Sequence, residues 1–276
     1  MSAVTPATVA ALPTAEQVLP QARRENFTVA SAIVGRRRAG HLMAIYGFAR
    51  LVDDVGDESP GDREALLDLV AIELQRVFGA GEPQHPLMRR LVPTVSECSL
   101  PVGPFERLIQ ANRVDQIVNR YETFAQLLEY CQLSAAPVGE LVLGVFGVAT
   151  PQRIALSDRV CAGLQVVEHL QDIAEDHARG RVYMPREDLA HFGCDEDDLA
   201  AEPPSAKLRA LIEFEGARAR ALLGSGAPLA RTLPPAPRIA VAGFVAGGLT
   251  ALEVRTSGHS HRGGYTLKLL RTMAGR

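Results

Sequence analysis

Only four cysteines occur among 276 residues, Cys98, Cys131, Cys161 and Cys194, and no two of them form a Cys-x-x-Cys pair. That spacing argues against structural zinc and against a disulfide framework, and it fits the reducing cytoplasm as the expected location. Basic charge is not in excess either: 29 Lys and Arg face 32 Asp and Glu, a formal net charge of −3. Without a broad positive field no nucleic-acid partner is expected, and an anionic substrate has to be met locally by arginines or a metal. The first twenty residues are rich in Ala, Thr and Pro but lack the basic start and unbroken apolar core of a secretory signal, so a flexible tail is expected over 1–20. Long apolar runs are missing too. The most apolar stretch, Ile239 to Val254, is short and interrupted by Gly243, Gly247 and Gly248, whereas a bilayer span takes about 20 apolar residues. A buried helix is expected there, and the alternative is a face in peripheral contact with a membrane.

What remains is a chain with 47% hydrophobic residues, enough to bury a large core. Nearly every segment repeats its apolar positions at helical period, with Pro and Gly as punctuation and no convincing alternation of β-branched residues. The expected fold class is all-α, with a single domain over 21–276. Helices are expected near 22–34, 39–56, 62–79, 84–98, 103–118, 123–149, 151–178, 205–224, 236–255 and 262–274. No internal repeat is present. The crowded acids of Cys194-Asp-Glu-Asp-Asp198 lack an apolar helical frame and read as a surface connection, and His259-Ser-His261 reads as two solvent-facing histidines beside a glycine pair.

The segment from Tyr46 to Glu58 organises the chain. In an otherwise apolar helical stretch, Asp53 and Asp57 lie one turn apart and so share a face, and Tyr46 and Arg50 fall on the same stripe. Two facing carboxylates repel unless a cation sits between them, and magnesium prefers oxygen ligands while keeping open positions for water or phosphate oxygens. One such pair is a weak signal, because acidic pairs on helices are commonly solvated faces.

A second stripe strengthens it. Gln165, Glu168, Asp172 and Asp176 follow steps of three, four and four, while Leu164, Val166, Val167, Leu170 and Ile173 occupy the other angles. Two apolar helices that each carry acids four apart point to a shared magnesium site able to receive a diphosphate, with Arg50, Arg179 and Arg181 as clamps. A metal and arginines would stabilise a departing diphosphate while a dry apolar pocket shelters the carbocation it leaves behind. A bundle with fortuitous ion pairs, or a non-catalytic lipid-binding scaffold, is the competing reading; four like charges in apolar surroundings have no evident use in a scaffold.

At these residues the chain resembles the squalene/phytoene synthase family, whose two aspartate motifs match Asp53-x-x-x-Asp57 and Asp172-x-x-x-Asp176. Further matches are Tyr46-x-Phe48-Ala49-Arg50, Tyr121-Glu-Thr-Phe124 running on to Tyr130-Cys131, and Gly180-Arg-Val-Tyr183-Met-Pro185. The likeness spans about residues 22–225. It implies a helical isoprenoid synthase fold around a hydrophobic cavity, a prenyl diphosphate substrate, Mg2+ as cofactor, and roles near the diphosphate for Arg50, Gln165, Arg181 and Tyr183.

Within the family, Arg24-Glu-Asn-Phe27, Gln110-Ala-Asn-Arg-Val-Asp-Gln116 and Leu133 to Leu141 look most like the branch that works on presqualene diphosphate. Phe27 and Tyr46 then belong with the substrate-binding residues. Members that join two prenyl diphosphates carry Asn-x-x-Arg-Asp at the second motif, where this chain has Glu168-x-x-Gln171-Asp172. Without that arginine a contact for a second anionic substrate is missing, and Glu168 is either an extra metal ligand or the partner of a neighbouring arginine. Small residues in Ser134-Ala-Ala-Pro-Val-Gly139 allow either a ligand or a packed helix to come close to the backbone.

Overall fold

The computed structural model describes residues 9–20, 35–257 and 272–273. The fold is all-α. Among the described residues there is no strand, only an isolated parallel bridge between Arg120 and Val182. The expected helices at 22–34 and, save for 272–273, 262–274 lie outside the described residues, as do Phe27, His259 and His261.

The chain divides into two compact units, one from Met1–Ile117 with Glu140–Ala149, the other from Val118–Gly139 with Thr150–Arg276. The first holds α1 (Ala15–Val18), α2 (Arg36–Asp57), α3 (Arg63–Gln75), α4 (Pro86–Cys98) and α5 (Gly103–Val114). Side-chain caps mark several starts: Asp62 accepts from the N–H of Ala65, and His85 accepts from Leu87 with Pro86 at the first helical position, where a missing N–H costs nothing. Phe48, Leu51, Val52 and Val55 of α2 pack with Leu67, Met88, Leu91 and Phe105, and the rings of Phe48 and Phe105 meet edge to face at 5.1 Å. Val9, Leu12 and Val18 join this core, and a Thr14/Gln17 capping box opens α1. Over residues 9–20 the structure therefore differs from the flexible tail expected for 1–20. Three apolar side chains spaced among the Ala and Pro are enough to dock the segment, and the Thr-x-x-Gln box was the signal for it.

The second unit contains α6 (Phe124–Ser134), α8 (Pro151–Gln171), α9 (Ile173–Ala178), α10 (Arg186–Phe192), a 3₁₀ turn at Glu196–Ala200, α11 (Ala206–Gly226), α12 (Leu229–Thr232) and α13 (Pro235–Ser257). Its core comes from α8, α11 and α13 through Val160, Val166, Leu170, Leu211, Ala219, Leu223, Ala242 and Val245. The single helix expected over 123–149 is two, α6 and α7 (Ala136–Val145), because the chain breaks at Ala135 and Pro137 takes the second position of the new helix. The small-residue run serves packing: a Cβ on Gly139 would lie 2.3 Å from Ser157 Oγ and 2.6 Å from Cys161 Sγ, so only glycine admits α8 this closely. Helix α13 is long and apolar enough to cross a membrane by length and composition, and a third of its most apolar window is buried. The buried third includes Val241, Ala242, Val245, Ala246 and Leu252, while Phe244 and Val254 are exposed.

Candidate active site

The last turns of α2 carry the first acidic pair. Asp53 is half-buried and Asp57 exposed at the C-terminal end of the helix. Burial pushes the Asp53 carboxyl up to about 7, and the neighbouring Asp57 charge adds to this, while a hydrogen bond from Asn112 and the charge of Arg50 work the other way. Arg50 is tied to the acid next to Asp53. Its Nε lies 2.7 Å from Oδ1 of the buried Asp54, one turn on, and its Nη2 lies 3.4 Å from Glu58. Asp54 thus holds the guanidinium, and residue-by-residue pattern matching on Asp53 and Asp57 passed over it. Tyr46 is half-buried two turns before Asp53 on the same stripe.

Helix α5 and the turn that follows it fix this acidic turn from the side. Asn112 Nδ2 donates to Asp53 Oδ1 at 3.0 Å, and Gln116 Nε2 donates to the carbonyl of Gly56 at 3.0 Å. Both residues belong to the Gln110–Gln116 segment, in which the sequence singles out no contact of its own.

The second pair sits where a helix ends. The sequence suggests one continuous helix with Gln165, Glu168, Asp172 and Asp176 on a single face, but the structure corrects this: Asp172 has φ −102° and ψ 13° and separates α8 from α9. That sparsely used backbone region is where many functional side chains sit. The break also leaves Glu168 and Asp172 exposed rather than buried, with Gln165 and Asp176 half-buried. Burial and the Asp172 charge raise the Asp176 carboxyl to about 7, partly offset by Arg179 and Arg181. Asp172 is raised as well, by burial and then by Glu175. Gln165 Nε2 donates to Glu168 Oε2 at 3.4 Å. Arg179, expected as a clamp, pairs with Glu175 at 2.8 Å, and the Arg181 N–H donates to the Asp176 carbonyl at 2.9 Å.

An extended segment then returns along the same wall. Val182 N–H donates to Asn119 O and Arg186 N–H to Tyr121 O, both at 2.9 Å. Arg120 locks the turn, with a fork onto Glu196 at 2.6 Å and a hydrogen bond to Gly180 O at 2.6 Å. The acidic 194–198 segment is thereby a capped turn tied to Arg120 rather than a free connection. Tyr183 packs among Tyr121, Tyr130 and His169, and the His169 ring stacks on it at 3.8 Å. His169, Asp176, Arg181 and Tyr183 line one narrow crevice. His169 is buried without a hydrogen bond to Nε2 among the described residues, and burial lowers it to about 3, so the ring is neutral. A histidine in an apolar helical stretch gave no sequence signal of its own.

The donors suit a hard cation. Each unit offers a pair of carboxylates, and at Asp53, Asp172 and Asp176 burial and neighbouring negative charge raise the proton affinity, the condition a divalent ion relieves. Within either unit no three His, Cys, Asp or Glu side chains are gathered among the described residues, so Glu168 is not brought to Asp172 and Asp176 as a third ligand.

The all-helical fold is that of an isoprenoid synthase, and comparison with known proteins agrees. The model of the squalene/phytoene synthase family matches residues 21–263, and the chain belongs to that family, which processes prenyl diphosphates with the help of a divalent metal. The chain is 36% identical over 209 residues to a hydroxysqualene synthase of Rhodopseudomonas palustris, covering 75% of this chain and 71% of that one. It is 30% identical over 210 residues to a 15-cis-phytoene synthase of Synechococcus elongatus, covering 71% and 68%. Among solved structures, squalene synthase HpnC from Alicyclobacillus acidocaldarius superposes with a TM-score of 0.79 at 42% identity, covering 93% of this chain and 98% of that one.

Proposed function

We propose that this chain is a hydroxysqualene synthase, which turns presqualene diphosphate and water into hydroxysqualene and diphosphate. The observation that carries this reading is the 36% identity to an enzyme of that name across three-quarters of the chain. The second motif supports it, since Gln171 stands where the condensing members have arginine. The likeness to a phytoene synthase supports the competing reading, head-to-head joining of two prenyl diphosphates, at lower identity.

In the proposed reaction the carbon–oxygen bond to diphosphate breaks and its electron pair leaves with the diphosphate. The cyclopropylcarbinyl cation opens its ring, water adds through oxygen, and a proton is lost to solvent. Asp53, Asp57, Asp172 and Asp176 would hold magnesium, which when bound supplies the charge that offsets the leaving anion. Arg50, oriented by Asp54, would present its planar fork to the phosphate oxygens, with Arg181 and Gln165 as further donors. Tyr183 would border the diphosphate on its aromatic backing, Phe27 and Tyr46 would contact the prenyl substrate, and Glu168 would meet the diphosphate end through water. The free state of Cys98, Cys131, Cys161 and Cys194 supports a cytoplasmic location, and the exposed side of α13 supports peripheral membrane contact as an addition to it.

The test is product analysis with magnesium and no nicotinamide. Presqualene diphosphate should give hydroxysqualene, and farnesyl diphosphate alone should give no condensation product. A C30 product made from farnesyl diphosphate alone would overturn the proposal in favour of the competing one.

A further inference from the structure

The contact between α2 and α5 has a feature that simple packing does not need. Asn112 is 6% exposed, and its Nδ2 is divided between the Asp53 carboxylate at 3.0 Å and the carbonyl of Leu108 at 3.3 Å. The amide reaches Asp53 only by passing over Gly56, where a Cβ would stand 2.1 Å from Asn112 Oδ1 and 2.9 Å from its Cγ. Any side chain at 56 would push the amide away. Gln116 completes the arrangement from the next turn, donating to Gly56 O at 3.0 Å and to Asn112 O at 2.9 Å. Asn112 alone therefore holds the carboxylate oxygen, Gly56 leaves the room for it, and Gln116 backs it from the turn after α5.

We propose that Asn112 is a positioning residue for the divalent cation: by occupying Asp53 Oδ1 it fixes the rotamer of the carboxylate and leaves Oδ2 for the ion, with Gly56 as the gap that lets it do so. The inference rests on the reading of Asp53 as a metal ligand. Hydrogen-bonded partners of metal ligands typically change affinity 10- to 100-fold when removed, because an unheld carboxylate must be ordered at the moment of binding.

The experiment measures Mn2+ binding to the purified full-length protein by loss of the free-ion electron paramagnetic resonance signal, with inorganic diphosphate present, alongside melting curves. Asn112→Ala should weaken Mn2+ binding about tenfold or more. Asn112→Asp keeps the shape but loses the donor and sets a second carboxylate against Asp53, so it should bind no better than the alanine variant, and in both variants the melting curves separate lost Mn2+ binding from lost folding. Gly56→Ala should reproduce the loss with Asn112 still present. In an Asp53→Asn background, Asn112→Ala should change Mn2+ binding less than twofold. Equal Mn2+ affinity of the wild type and both folded Asn112 variants overturns the positioning role. Equal affinity of the wild type and Asp53→Asn overturns the metal-ligand reading itself and the positioning role with it. If Asn112→Ala does not fold, the comparison of Asn112→Asp with the wild type decides.

Discussion

The imidazole of His169 lies face to face with the phenol of Tyr183, 3.8 Å between ring centres and 13° from parallel. The neutral ring closes the inner side of an aromatic cluster whose other members, Tyr121 and Tyr130, come from before and within α6. The stack holds the plane of the Tyr183 ring.

A pair of this kind is worth about 0.5–1.5 kcal/mol beyond its buried area. His169→Ala should therefore lower kcat about two- to tenfold, whereas His169→Phe, which keeps a flat ring, should retain most of it. Because the imidazole is held neutral, with its pKa down at about 3, the pH profile between 6 and 8 should be the same in the wild type and the phenylalanine variant. Steady-state kinetics of the three proteins check this; a phenylalanine variant as impaired as the alanine one would assign His169 a role of its own in the chemistry.

The acidic pairs give a stricter expectation. Asp53→Asn and Asp176→Asn each keep the side-chain shape and remove a charge that would hold the cation, so turnover should fall at least about a hundredfold while melting stays cooperative. Near-normal turnover of both variants would contradict the metal reading.

Much of this was legible in the chain. The period of apolar residues gave the helices, and the two acidic pairs stood out because each sets two aspartates four apart on one face of a largely apolar helical segment. The break at Asp172 was not legible, since Ile173, Ala174 and Glu175 continue a helical pattern and only local backbone geometry ends α8 there. Asp54 was hidden in another way. Its neighbour Asp53 fits the motif, and nothing in a sequence says which of two adjacent acids will fold back onto Arg50. Asn112 and His169 escaped notice because their roles are contacts with residues 59 and 14 positions away, Asp53 and Tyr183, and such contacts leave no spacing to read.

A buried network offers a pH test away from the candidate site. Arg218 lies between the rings of Phe124 and Phe214, 4.4 Å from each, and is shared by Asp188 at 2.6 Å and Glu215 at 2.8 Å. Two carboxylates on one arginine in a dry place retain a proton, and burial pushes Glu215 up to about 8 from an ordinary 4.5. The folded chain then binds a proton that the unfolded chain has released, so stability falls as pH rises from about 5 to 8. Relative to Glu215→Gln, the wild type should lose about 2–4 °C or more in melting temperature across that window, the shift expected from about 1 kcal/mol. Parallel curves for the two proteins would contradict the shared proton.

The fate of the cation tests the proposed function most directly. Purified protein, presqualene diphosphate and magnesium are incubated in heavy-oxygen water without nicotinamide, and the C30 product is analysed by mass spectrometry. Capture of the rearranged cation by solvent predicts hydroxysqualene carrying the heavy oxygen. Unlabelled presqualene alcohol with its cyclopropane intact, or squalene formed only when a reductant is added, would contradict it.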